Sequence, residues 1–129
     1  MPNKQTILII EDDTMLLEMY KDKLQFEGYR VTTATDGKKA LTRLKNRPDL
    51  VILDILMPHS NGFDVLKRIK SDPTTQDIPV IVLTNLGTPK TQRDKDFAMA
   101  LGARDYLIKS LHTPDQVISK IDSILREVN

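Results

Sequence analysis

Residues 49–62 read Asp-Leu-Val-Ile-Leu-Asp-Ile-Leu-Met-Pro-His-Ser-Asn-Gly. Inside this stretch, Val51-Ile52-Leu53 is an apolar run that stops abruptly at the carboxylate of Asp54. The run is too short for a helix and rich in β-branched residues. It reads as a strand buried on both faces, the habit of parallel sheets. Ile7-Leu8-Ile9-Ile10, Val80-Ile81-Val82-Leu83 and Tyr106-Leu107-Ile108 have the same form. A weaker strand is predicted from Tyr29 to Ala34. There Tyr29 and Val31 alternate with Arg30 and Thr32, as expected for a half-exposed edge.

Helical patterns fill the intervals. Leu17, Tyr20 and Leu24 recur at spacings of three and four, as do the pairs Leu41 and Leu44, Leu66 and Ile69, and Phe97 and Leu101. The last helix carries Val117, Ile121, Leu125 and Val128. Thr113 reads as an N-cap, with Pro114 at the first helical position and Gln116 completing a capping box. Thr88-Pro89 repeats that start signal, and Gly28 and Gly102 read as helix stops. Strand and helix alternate five times, which predicts right-handed crossovers and a doubly wound α/β domain spanning residues 1–129. The flavodoxin-like order 2-1-3-4-5 suits five strands and puts the weak second strand at an edge.

With 129 residues, 40% of them hydrophobic and 29% charged, the chain can bury a core and is not compositionally disordered. No apolar run approaches the ~20 residues of a membrane helix. Met1 to Thr6 lacks the layout of a signal peptide. There is no cysteine, hence no disulfide framework or thiolate metal site. These features favour the cytoplasm. A net charge of +1 with intermixed signs argues against direct nucleic-acid binding.

In this fold ligands bind beyond the carboxyl ends of the strands, at the switch point between the first and third. The first strand ends in Glu11-Asp12-Asp13, the third in Asp54, the fourth in Thr84 and the fifth in Lys109. Singly these residues have ordinary explanations: Asp13 reads first as a helix cap. Jointly they place acids, one hydroxyl and one lysine on a single rim. Crowded carboxylates repel and call for a cation, and hard oxygen ligands favour Mg²⁺. A carboxylate can also attack phosphorus. Phosphoryl transfer mainly needs positioning and charge neutralisation, which the metal, Lys109 and the Thr84 hydroxyl would supply around Asp54. No glycine-rich phosphate loop is present, so a nucleotide is not the obvious donor.

The segments ILIIEDD (7–13), DLVILDILMPHSNG (49–62), IPVIVLT (78–84) and GARDYLIK (102–109) resemble, in order and spacing, the receiver domains of two-component response regulators, including the single-domain chemotaxis type. The resemblance covers nearly the whole chain. It implies Asp54 as phosphoacceptor. It also implies a Mg²⁺ or Mn²⁺ ion held by Asp12, Asp54 and the Leu56 backbone carbonyl, with Glu11 acting through water. Lys109 and Thr84 would contact the phosphoryl group, and Tyr106 would be a switch aromatic that turns inward as Thr84 moves. Pro58 and Gly62 would shape the loop after the third strand. The implied partners are a sensor histidine kinase or histidine phosphotransfer protein and a downstream protein or output domain. The chain would be a switch that catalyses only its own phosphorylation and dephosphorylation, free of membrane and nucleic acid. A weak dimer through the last helices is compatible with the sequence, which carries no firm signal for it.

Two positions depart from the family pattern. Ser110 stands where proline usually follows the lysine. A cis Lys109–Ser110 bond would cost roughly 2.5–4 kcal/mol, so a trans bond is predicted. Asn85 follows Thr84, where a small residue is common. Leu56 and Leu86 are apolar where a polar side chain would orient attacking water, which predicts slow self-dephosphorylation. His59 and His112 read as loop residues, and Met15, Met19, Met57 and Met99 as packing. The alternative function is a pseudo-receiver that only mediates protein contacts, which Ser110 and Asn85 keep open. An aspartyl-phosphate hydrolase of the haloacid dehalogenase type would want Asp-x-Asp, which Asp54-Ile55-Leu56 lacks. A flavin-binding domain would want hydroxyls where the first strand ends in acids.

Overall fold

The apolar runs do form strands, and all lie in one sheet. The computed structural model describes residues 5–57, 60–85 and 91–127. Pro58, His59, Leu86, Thr88-Pro89 and Val128, singled out above, lie outside the described residues. Strands β1 (Thr6–Ile10), β2 (Arg30–Ala34), β3 (Leu50–Leu53), β4 (Val80–Thr84) and β5 (Asp105–Ile108) alternate with helices α1 (Thr14–Phe26), α2 (Gly37–Leu44), α3 (Gly62–Ser71), α4 (Thr91–Leu101) and α5 (Pro114–Glu127). The sheet is parallel throughout, in the order β2-β1-β3-β4-β5. That is the predicted order, with β2 at an edge.

Residue-by-residue alternation along each strand builds two cores. Leu8, Ile10, Val51, Leu53, Val80, Val82 and Tyr106 face α2, α3 and α4, where they meet Leu44, Leu66, Ile69 and Ala98. Ile7, Ile9, Leu50, Ile52, Ile81, Leu83 and Leu107 face α1 and α5, where they meet Leu17, Tyr20, Leu24, Val117, Ile121 and Leu125. Burial on both faces is why these strands read as unbroken apolar runs.

The helix ends follow the sequence signals. Asp13 caps α1: its Oδ1 accepts from the amides of Met15 (3.1 Å) and Leu16 (3.2 Å). At α5 the Thr113 amide donates to Gln116 Oε1 (2.9 Å), and the Gln116 amide donates to Thr113 Oγ1 (3.2 Å), closing the capping box. Gly28 (φ 97°) and Gly102 (φ 110°) sit in the left-handed region. Their flanking amides return to the helix carbonyls: Gly28 to Gln25, Tyr29 to Leu24, Gly102 to Met99 and Ala103 to Ala98. This is the Schellman pattern.

Three expectations need correction. Tyr29 is not in β2, because its amide closes the end of α1 on Leu24, and its hydroxyl instead donates to Asp122 on α5. On α4 the fully buried residue is Ala98, while Phe97 is half exposed and lies against Phe63 with ring centroids 5.0 Å apart. The small side chain lets that helix close on the sheet. Among the methionines Met57 is buried and Met19 packs against the core, but Met15 and Met99 are exposed.

After β3 the chain makes a short antiparallel pair, Leu56–Met57 with Ser60–Asn61, and then enters α3 under an Asn61 cap. Gly62 is required here by space. A Cβ on it would lie 2.4 Å from Ile55 Cα and 2.7 Å from the Asp54 carbonyl oxygen, both backbone atoms that cannot swing aside. Gly62→Ala is therefore expected to lower unfolding free energy by about 1–3 kcal/mol, the cost of overpacking a tight site, as read from urea denaturation. Wild-type stability in the variant would show that the loop after β3 yields freely.

Candidate functional site

Parallel pairing carries the ends of β1, β3, β4 and β5 to one rim, and hydrogen bonds continue the ladder past the last strand residues. The Glu11 amide donates to the Ala34 carbonyl (3.0 Å), Asp54 to Ile10 (3.0 Å) and Lys109 to Thr84 (2.7 Å). Side chains attached just beyond these bonds are held by the sheet itself.

Lys109 Nζ lies 2.5 Å from Glu11 Oε1 and 3.4 Å from Asp54 Oδ2. The second oxygen of each acid is also engaged. Glu11 Oε2 accepts from the Asp13 amide (3.2 Å), and Asp54 Oδ1 accepts from the Leu56 amide (3.0 Å). Glu11 and Asp54 are buried, at 5% and 6% exposure, and the Lys109 side chain is at 10%. Asp12 is partly exposed, on the side open to solvent. The ligand oxygens of Glu11, Asp12 and Asp54 lie within 4.8 Å of one another.

One ammonium pairs with two of the three clustered carboxylates. Burial, reinforced by the nearby Asp54 charge, pushes the Glu11 carboxyl up to about 7 despite its hydrogen bond to Lys109. Such a cluster has room, in geometry and in charge, for a divalent cation. Its donors are hard oxygens, and hard cations of the Mg²⁺ or Mn²⁺ kind take one or two carboxylates and fill the remainder with water. The residues present fit that group.

Thr84 is fully buried at the end of β4, and its carbonyl receives the Lys109 amide. Tyr106 pairs in register with Val82 and is 4% exposed, with its ring in the α2–α3–α4 core. Among the described residues its hydroxyl has no hydrogen-bond partner. Burial, with the negative charges of Asp94 and Asp54, raises its pKa. No peptide bond among the described residues is cis, so Lys109–Ser110 is trans as predicted. Asn85 is exposed beside the rim, and His112 Nδ1 lies 3.1 Å from the Ile108 carbonyl oxygen, holding the turn before α5.

The arrangement thus joins Glu11, Asp12, Asp54 and Lys109 directly, and Thr84 through its backbone. The contact that sequence reasoning missed is the Leu56 amide on Asp54. An aspartate whose side chain reaches the amide two residues on is the geometry of an Asx turn, and the break of the apolar run at Asp54 was its available signal. No described helix is long and apolar enough to cross a membrane.

Comparison with known proteins agrees with this geometry. The family model described as response regulator receiver domain matches residues 7–122. The response regulator SaeR of Staphylococcus aureus is 38% identical over 120 residues, which cover 92% of this chain and 50% of SaeR. The chain therefore spans about half the length of that curated relative. The solved CheY-like receiver domain protein of Methanospirillum hungatei superposes with a TM-score of 0.86 at 28% identity, covering 97% of this chain and 96% of that one. The Mn²⁺-bound form of response regulator Rcp1 superposes at 0.75 and 28% identity, covering 87% and 86%. A family match that runs over residues 7–122 means that the chain belongs to the response regulator receiver domain family.

Proposed function

We propose that the chain is a phosphorylation switch. Asp54 accepts a phosphoryl group from a phosphohistidine on a sensor histidine kinase or a histidine phosphotransfer protein, and the change is relayed through α4, β5 and α5 to a partner or output domain. The observation that carries this reading is the buried Asp54 carboxylate at the end of β3, set between Lys109 and two further acids.

The two Asp54 oxygens have different surroundings. Oδ1 is held by the Leu56 amide, and Oδ2 is turned toward Lys109. Oδ2 is the oxygen we assign to attack on phosphorus, with the bond to the donor nitrogen breaking on the far side. Lys109 can exchange its Glu11 contact for a phosphoryl oxygen, as a flexible point charge allows. The Thr84 hydroxyl would hold another such oxygen. Mg²⁺ or Mn²⁺, held by Asp12, Asp54 and the Leu56 carbonyl with Glu11 reaching it through water, would neutralise the charge that gathers on those oxygens. The Mn²⁺-bound state of the related Rcp1 supports that cofactor.

Tyr106 supports the switch assignment, because a buried hydroxyl without a partner among the described residues is held at a cost. The reading carries with it a cytoplasmic location and one receiver unit over residues 1–129. The kinase, the output and the activity of a longer protein follow the family, since the chain covers half of SaeR.

Three outcomes test it. Incubated with phosphoramidate or acetyl phosphate, the protein should gain one phosphoryl group by intact mass only when Mg²⁺ is present, and Asp54→Asn should gain none. A folded, metal-binding protein that stays unmodified both with these donors and with a phosphorylated histidine domain would instead be a pseudo-receiver. The phosphorylated form should persist for minutes or longer, because the half-exposed, apolar Leu56 offers nothing to orient water. Leu56→Gln should shorten that lifetime, and a wild-type half-life of seconds would refute the assignment. Finally, Tyr106→Phe should raise unfolding free energy by about 1 kcal/mol by removing the unpaired hydroxyl. A loss of stability would mean that this hydroxyl is satisfied in solution.

A further inference from the structure

Helices α2 and α3 flank a groove of about 460 Å³ on the side of the sheet opposite α1 and α5. Its floor includes Leu41, Leu44 and Ile69, and its rim carries Lys45, Lys67 and Arg68. Lys38, seven residues before Lys45, continues that cationic row along α2. All four cations are exposed, and none has an ion-pair partner among the described residues. The one acid lining the groove, Asp72, is bound into its own turn. Its Oδ1 accepts from the Thr74 amide (2.8 Å) and hydroxyl (2.7 Å), bonds that lower its pKa.

Helix stabilisation does not account for this charge. Cations near a helix C-terminus complement the macrodipole, which covers Lys45 and Arg68. Lys38 lies in the first turn of α2, just behind the Asp36 cap, where the macrodipole disfavours a cation. Nor does the groove suit nucleic acid, because no aromatic side chain lines it for a base to stack on.

We propose that this groove docks an acidic amphipathic helix of a partner protein, with apolar side chains seated between α2 and α3 and carboxylates paired with Lys38, Lys45, Lys67 and Arg68. A groove between two packed helices accepts apolar anchors repeating at three and four residues, and a lining of three cations against the single carboxylate of Asp72 selects acids on the flanks of that stripe. None of these residues belongs to the acidic rim, so the proposal stands or falls apart from the phosphoryl chemistry.

The test uses a synthetic peptide of about 14 residues, four helical turns, with leucine on one stripe and glutamate on its flanks. It is titrated into ¹⁵N-labelled protein. Amide shifts should concentrate in residues 41–45 and 67–75. The double variant Lys67→Glu/Arg68→Glu, at exposed positions and checked for an unchanged thermal melt, should bind about tenfold more weakly or worse. So should a peptide whose leucines are replaced by serine. Lys38→Glu gives the sharpest reading, since it should stabilise α2 through the dipole yet weaken binding. Absence of saturable binding, shifts on another face, or equal affinity for the charge-reversed protein would overturn the proposal. Tighter binding of a single-stranded oligonucleotide to the same residues would overturn it in favour of a nucleic-acid surface.

Discussion

The Lys109 ammonium holds the ends of three strands together. It reaches Glu11 beyond β1 and Asp54 beyond β3 from a backbone position already bonded to Thr84 at the end of β4. Buried ion pairs rarely stabilise a fold outright, because removing the charges from water costs about as much as their attraction returns. Here the balance is also uneven, since Lys109 pairs with Glu11 and Asp54 while Asp12 lies in the same cluster. Burial is the main cause of the raised Glu11 carboxyl, and the nearby Asp54 charge adds to it. The rim is therefore a place of incomplete neutralisation that the two apolar cores sustain, which is what a site for transient cations and phosphoryl oxygens requires.

The scaffold makes this deficit tolerable by fixing backbones before side chains. Glu11, Asp54 and Lys109 each hang from a backbone whose amide is already spent on a neighbouring strand, and the Leu56 amide then fixes one oxygen of Asp54. Gly62 contributes by absence. Only without a Cβ can α3 begin against the Ile55 backbone, and that close approach keeps the loop after Asp54 in place. The β1–β3 neighbourhood, where strand order reverses, is also where the acids from two strands come closest, as expected for a switch point in a doubly wound sheet.

How far the sequence revealed this depended on whether local chemistry or tertiary geometry decided each residue. Strands buried on both faces were plain, because nothing except burial produces Ile7-Leu8-Ile9-Ile10 followed at once by acids. The caps at Asp13 and Thr113 were plain because they are made within a few residues. Tyr29 was misread because its alternation with Val31 looked extended while its amide belonged to the preceding helix. Phe97 was misread because hydrophobicity marks a residue that can be buried, and the closeness of α4 to the sheet selected Ala98 instead. The acids and lysine of the rim could be placed by topology alone. The bond from the Leu56 amide, and the preference of Lys109 for Glu11 at 2.5 Å over Asp54 at 3.4 Å, are matters of ångströms that no residue pattern encodes.

A formal charge of +1 leaves local imbalances undescribed, although the signs are intermixed along the sequence. The acids meet at the carboxyl ends of the strands, and Lys45, Lys67 and Arg68 line the groove between α2 and α3. Screening at physiological salt acts over about 8 Å, so each set of charges acts mainly on groups close to it. The proposed phosphoryl chemistry and the proposed docking draw on different residues. The fold thereby separates two demands that a uniformly charged surface would set against each other.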